Sequence, residues 1–478
     1  MTPPGERFLG QYLRVSKRET PATPAPKNLL PRRRSPSHRS LVCLSLALLG
    51  VGCQTVPVAI YDHAVGPQQL DVRRYEARVA LDVANKSVRG DTAIIFRFPS
   101  ASPRSLRFPR NELEVDGATY EGHAAAFRIE GDSIVIPLPD SSALAQERVG
   151  IAYHSTPLRG LVFGDRFVYT DFHTCHWMVC SEEPGDKADF ALEVIAPARY
   201  RVIASGRLVR ERIDASGNVH SQWEETQPYS PYLYGFVAGE MIEAFADAGS
   251  TKLRLLGVAA SESTGSLRRK FAETARMLTF LQRRAGVPLP HGVYTQVLVP
   301  GEEAQEKSSF ALIGTAYLDP ILEDPTEDWV IVHELAHQWW GNSITCRDWS
   351  HFWLNEGMAT FLTAAYKQQR WGQAAYEREL KLWRERRAIA SDAGFDVPLA
   401  YAGQYPSLRI RRAIQYSKAA LFLDALRARV GEGVFWRGVA IFTRRHAGGT
   451  VTSSDLQRAM QEASGTDLAE LFREWVYP

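Results

Sequence analysis

The chain has 478 residues, 45% of them hydrophobic and 23% charged, with a formal net charge of +2. That length exceeds one ordinary core and points to two or three domains, and that balance excludes a disordered or fibrous polymer. The charge is unevenly spread: residues 1–52 hold nine Lys/Arg and two Asp/Glu, which leaves the rest mildly acidic at about −5 and with no electrostatic reason to bind nucleic acid.

Taken in chain order, residues 1–53 read as a leader. "PRRRSPSHRS" is a positive segment, and "LVCLSLALLGVG" is an apolar run too short to span a membrane comfortably. The following "GVGC" resembles a lipobox, which makes Cys53 a candidate lipidation site and predicts an exported, lipid-anchored envelope protein; plain secretion is the alternative. Residues 54–71 read as a linker. No later apolar run approaches the length of a transmembrane helix. Beyond the leader the cysteines are Cys175, Cys180 and Cys346. Cys175 and Cys180 are a candidate pair, against the plainer reading of two half-buried thiols beside a strand; Cys346 reads as a buried filler.

Residues 72–250 carry short runs rich in Val, Ile, Tyr and Phe, among them "RRYEARVALDV", "DTAIIFRF", "RVGIAY" and "DFALEVIA", separated by Gly, Pro, Asn, Asp and Ser. This pattern predicts an antiparallel β sandwich or saddle. Over 251–478 the period changes. "SLRRKFAETARMLTFLQRRAG" places Leu267, Phe271, Leu278 and Leu281 near one face of a helix, "VYTQVLVP" reads as a strand, and the remainder is mostly helical. The fold class is therefore multidomain α+β.

Within the helical part lies "WVIVHELAHQWWGN". His333 and His337 are four residues apart, a spacing that stacks two imidazoles on one helix face, and Glu334 adjoins the first of them. Thr326 is a candidate N-cap for this helix. A coincidental amphipathic face is the alternative, and a third ligand decides against it: Glu356, in "FWLNEGMATFLTAAY", opens a second helical pattern after a short loop. Two His and one Glu leave a fourth position for water, the catalytic rather than the structural arrangement of zinc. The neighbouring tryptophans read as packing. A rival cluster, His173, Cys175, His176 and Cys180 in "HTCHWMVC", has spacing that suits no common zinc site.

"HELAHQWWGNSITCRDWSHFWLNEGMATF" resembles the gluzincin zinc aminopeptidases of the aminopeptidase N and leukotriene hydrolase type. "CSEEPGDKADFALEVIAP", "SPYLYGFVAGE", "IQYSKAALFLDALR" and "SGTDLAELFREWVYP" are similar to further segments of that family. The resemblance implies a β-saddle domain followed by a thermolysin-like, mostly helical domain. It implies one Zn2+ ion held by His333, His337 and Glu356, Glu334 as general base, and Tyr416 as hydrogen-bond donor to the oxyanion. It also implies peptide-bond hydrolysis by attack of zinc-bound water, on peptide or protein substrates.

Two departures bear on specificity. The family's Gly-Ala-Met-Glu-Asn loop, which reads the substrate amine, falls on Gln305, Glu306, Lys307, Ser308 and Ser309, so its glutamate becomes Ser308. Glu306, two residues earlier and on the same face if the segment is extended, is a candidate substitute, as are Glu302 and Glu303. The sequence ends at "WVYP", and the expectation is a protein with no C-terminal helical-repeat domain and therefore a more open cleft. Aminopeptidase action is the leading expectation. Endopeptidase action, or exopeptidase action on blocked N-termini, is the alternative; non-peptide hydrolysis and a non-catalytic envelope binding protein on a peptidase fold are the rivals.

Overall fold

The computed structural model describes residues 70–98, 104–139, 146–181, 183–249, 251–258 and 261–478. The leader, most of the linker and Cys53 lie outside the described residues.

The strand-rich half builds an eight-stranded sheet whose central strands are Ala188–Pro197, Asp71–Asp82, Ser87–Arg97 and Glu147–Ser155. Alternation does the work here: in Glu147–Ser155 the residues Val149, Ile151 and Tyr153 are buried while Arg148 and Ala152 are exposed. The inward side chains pack with those of a four-stranded sheet ordered Arg201–Ala204, Phe236–Gly239, Phe167–Thr170 and Leu161–Phe163. One pairing departs from the antiparallel expectation. Asp71–Asp82 runs parallel to Ala188–Pro197, with Val79 opposite Val194. More than a hundred residues separate these strands, ample for the crossover that a parallel pair requires.

A five-stranded mixed sheet joins this half to the helices, in the order Met241–Ala248, Thr251–Val258, Val293–Val299, Phe310–Gly314 and Ala304–Lys307. Its central strands are apolar on both faces. Val297, Val299, Phe310 and Leu312 face the β core, whereas Tyr294, Leu298, Ala311 and Ile313 face the helical core. This two-sided burial explains the nearly continuous apolar run "YTQVLV". It also leaves Ala304–Lys307 as the edge strand, beside the motif helix.

Four helices matter for the site: α1 (Thr274–Ala285), α2 (Trp329–Ala336), α3 (Trp353–Trp371) and α4 (Ala419–Val430). The stretch read as a single helix is two. Thr264–Lys270 ends at Phe271, and α1 restarts at Thr274, whose hydroxyl donates to Gln296 Oε1 at 2.9 Å in the sheet below. Leu267, Phe271, Leu278 and Leu281 are all buried despite the break. Nor does Thr326 cap α2. Its hydroxyl bonds Asp324 Oδ1 at 2.8 Å in the preceding turn, and the helix begins after Asp328, whose carboxylate accepts from Trp371 Nε1 instead.

Helix α3 packs closely on α4. A Cβ at Gly357 would stand 2.4 Å from the Ala419 Cβ, so the glycine after Glu356 sets how near the two helices come. Trp339 and Trp340 are buried and donate to Pro288 O and Thr443 Oγ1, as packing residues do. No helix among the described residues is long and apolar enough to cross a membrane.

Candidate metal centre

Helix α2 stacks His333 above His337, and α3 brings Glu356 against both from its first turn. The His333 and His337 Nε2 atoms are 3.1 Å apart, and Glu356 Oε2 lies 3.3 Å from the first and 3.6 Å from the second. A tetrahedron with arms of about 2.0–2.2 Å has edges of roughly 3.3–3.6 Å, close to these separations. The His337 Nδ1–H donates to Trp340 O at 3.0 Å, which fixes the tautomer and turns the Nε2 lone pair inward. Gly341 makes this possible. Its φ is +128°, and a Cβ there would sit 2.7 Å from His337 Nδ1.

Charge agrees with geometry. Glu306 joins Glu334 and His337 in a second cluster, its ligating atoms within 4.8 Å of one another, so three buried carboxylates surround two imidazoles. Glu306 Oε1, Glu334 Oε2 and Glu356 Oε2 are all buried without a hydrogen-bond partner. Burial alone would lower the His337 imidazole, yet the carboxylates of Glu306, Glu356 and Glu334 raise it to about 10. Burial pushes Glu334 well above the usual carboxylate range; His337 opposes this, and Glu306 and Glu356 add to it. A pocket that crowds three buried carboxylates against two imidazoles offers the donors a divalent cation takes, and the set of two imidazoles and a carboxylate suits zinc.

The second cluster is not a second complete site. His337 Nδ1 is committed to Trp340 O and its Nε2 to the first cluster, which leaves Glu306 and Glu334 facing the space beside the metal position. Tyr416 stands on the His333 side of the metal position. It sits half-buried on a π-helical turn, Ala413–Lys418, immediately before α4, with its ring parallel to that of His333 at 6.0 Å. Wide turns of this kind recur at functional sites because the extra residue re-aims a side chain.

The amine-loop residues separate. The strand ends at Lys307, and Ser309 adopts φ +69° to turn the chain into Phe310–Gly314. Ser308 and Glu306 therefore do not share an extended face. The Ser308 N–H donates to Leu233 O at 3.0 Å, and its hydroxyl is turned toward Glu225. Glu306, only 2% exposed, points into the site, whereas Glu302 is exposed and Glu303 lies beside Tyr169.

Several positioning residues carry no local signal in the sequence. Gln338 clamps the hairpin from both sides, donating through Nε2 to Lys307 O at 3.0 Å and accepting from Ser309 N at 3.2 Å. Asn342 adds a bond to Lys307 O at 3.1 Å. Asn355 accepts from Cys346 N and donates to Tyr232 Oη, whose hydroxyl donates to Gly341 O. Only the burial of "QWWGN" around two tryptophans hints that its amides must find internal partners. The rival cluster does not converge: His173 bonds Asp171, and His176 faces Glu112. Among the described residues only the two clusters above bring three such ligands together.

Residues 270–475 match the family described as "Peptidase family M1 domain". The chain carries an M1 peptidase domain. In this it is similar to the gluzincin aminopeptidases of the aminopeptidase N type. "Aminopeptidase 2" of Candida albicans is 27% identical over 62% of this chain and 33% of its own length. "Probable aminopeptidase 1" of Saccharolobus solfataricus is 24% identical over 85% of this chain and 53% of its own length. The chain thus spans between about a third and about half the length of the curated relatives it matches. An M1 zinc metallopeptidase from Deinococcus radiodurans superposes with a TM-score of 0.72 at 22% identity, covering 86% of this chain and 94% of that one, which shows a shared fold. A mutant of that protein has been solved with a Tyr-Ser-Ala substrate. The M1 domain holds α2, α3, the π-helical turn and α4, so the three candidate ligands, Glu334 and Tyr416 fall inside it, while Glu306 does so on the edge strand.

Proposed function

We propose that this M1 protein is a zinc-dependent peptidase that removes residues from free peptide N-termini. The triangle formed by His333 Nε2, His337 Nε2 and Glu356 Oε2, with Glu334 beside it, carries the reading. The aminopeptidase names of the relatives and the peptide bound to the Deinococcus radiodurans mutant support it. These three residues would hold a single zinc ion, which when bound polarises the scissile carbonyl and lowers the pKa of water toward about 7.

The chain's own groups supply the remaining chemistry. Glu334, placed beside the ligand triangle with its carboxyl raised by burial and further by Glu306 and Glu356, takes the proton from the attacking water and returns it to the departing amine. The Tyr416 hydroxyl donates to the oxyanion as the carbonyl becomes tetrahedral. Glu306 receives the substrate's α-ammonium in place of the family glutamate that Ser308 has lost. Gln338 and Asn342 hold the Lys307 carbonyl and so fix the strand that presents Glu306. On the leader's pattern, the chain is exported and held at the envelope through a lipid on Cys53.

Glu306→Gln tests the specificity. The substitution keeps size and removes the charge. A charge-assisted hydrogen bond contributes about 1.5–3 kcal/mol, so kcat/KM on free N-termini should fall roughly ten- to a hundred-fold, with hydrolysis of N-acetylated peptides staying low in both proteins. Comparable cleavage of free and acetylated peptides by the unaltered protein would instead favour endopeptidase action, consistent with the missing glutamate at Ser308.

A further inference from the structure

The segment between the four-stranded sheet and strand Ala188–Pro197 holds two cysteines that the catalytic reading does not use. Cys175 sits in the turn Thr174–His176, and Cys180 follows five residues later. Both are fully buried. Their Sγ atoms are 2.6 Å apart, and Cys175 Sγ also lies 2.9 Å from Cys180 O. Non-bonded carbon atoms settle at about 3.5–4.0 Å, and sulfur is larger, so two thiols do not rest at this separation. The backbone around them is fixed independently. Asn111 Nδ2 donates to Cys175 O, Tyr153 Oη donates to Trp177 O, and Ser181 N donates to Tyr75 Oη.

We propose that Cys175 and Cys180 form a disulfide in the mature protein. The two thiols together lose two protons and two electrons as the S–S bond forms. A protein disulfide of the thiol-exchange class takes up both electrons and leaves as a dithiol. Because both sulfurs are sealed from solvent, the exchange occurs before the segment closes over them, and the finished bond is then shielded from reductants.

The bond lies in the segment that anchors the edge strand carrying Glu306. The Asp171 carbonyl, four residues before Cys175, accepts from Lys307 Nζ at 2.8 Å, and Lys307 adjoins Glu306 on the edge strand. A cross-link across residues 175–180 therefore stiffens the segment against which that strand is anchored. Cys346, buried elsewhere beneath α3, serves as an internal control with no sulfur partner in reach among the described residues.

Peptide mapping tests this directly. The full chain, produced in an oxidising compartment, is unfolded in denaturant with a thiol-alkylating reagent and no reductant, then digested with trypsin. One tryptic peptide, residues 167–187, contains both cysteines. The expected result is that this peptide carries no alkyl group and is two hydrogens lighter than the dithiol, while the Cys346 peptide is alkylated. Recovery of peptide 167–187 with both cysteines alkylated overturns the proposal, and so does a cross-link from either of them to another cysteine. The double variant Cys175→Ala/Cys180→Ala provides a second measurement. It should melt at lower temperature than the oxidised protein, and unlike it should melt identically with and without reductant; equal melting of the two proteins under non-reducing conditions counts against the bond.

Discussion

Glu334→Gln is expected to lower peptide hydrolysis by roughly 10²–10⁴-fold, the range typical of a lost general acid–base group, while leaving zinc content unchanged. The separation of the two readouts follows from where the side chain lies. Glu334 is not one of the three atoms that form the ligand triangle; it clusters with Glu306 and His337 beside it. Glutamine preserves the volume and one oxygen, so α2 and its packing are retained, but it cannot take a proton from water. Parallel measurements of kcat and of metal stoichiometry on the purified variant check this. Loss of zinc together with activity would mean that Glu334 holds the metal rather than the proton.

Tyr416→Phe should act almost wholly on kcat, with KM little changed. The ring stays stacked on His333 at the same site, and only the hydroxyl is lost. A donor to a developing oxyanion typically contributes about 3–4 kcal/mol, so the expected fall is about two to three orders of magnitude. Burial and the nearby Glu356 carboxylate hold the phenol well above its ordinary value, so it stays protonated and able to donate throughout the neutral range. Steady-state kinetics on a single peptide with a free N-terminus separates the two constants. An unchanged kcat with a raised KM would make Tyr416 a substrate-packing residue.

The parts of the site legible in the sequence are those set by local periodicity. His333 and His337 share a face because a helix repeats every 3.6 residues, and Glu356 opens a second helix after a loop long enough to fold back. The strand blocks declare themselves through alternation, as in Glu147–Ser155. What stayed hidden depends on contacts between distant segments. Whether Glu306 or Ser308 faces the metal position turns on where the hairpin bends, and Ser309 at φ +69° is a bend without a glycine to announce it. The clamp made by Gln338 joins segments about thirty residues apart, and the parallel pairing of Asp71–Asp82 with Ala188–Pro197 joins strands more distant still. The helix break before Thr274 follows from a buried bond to Gln296 that no helical pattern contains. The close packing at Gly357 likewise exists only once Ala419 has been brought against it.

The most direct test of the central claim is zinc titration of chelator-stripped protein, with peptide products read by mass spectrometry and bound metal counted alongside. The account predicts negligible hydrolysis without metal, recovery that saturates at one zinc per chain, and no recovery in a Glu356→Gln variant that binds zinc weakly. Hydrolysis that survives complete stripping, or that Glu356→Gln restores fully at one equivalent, would contradict it.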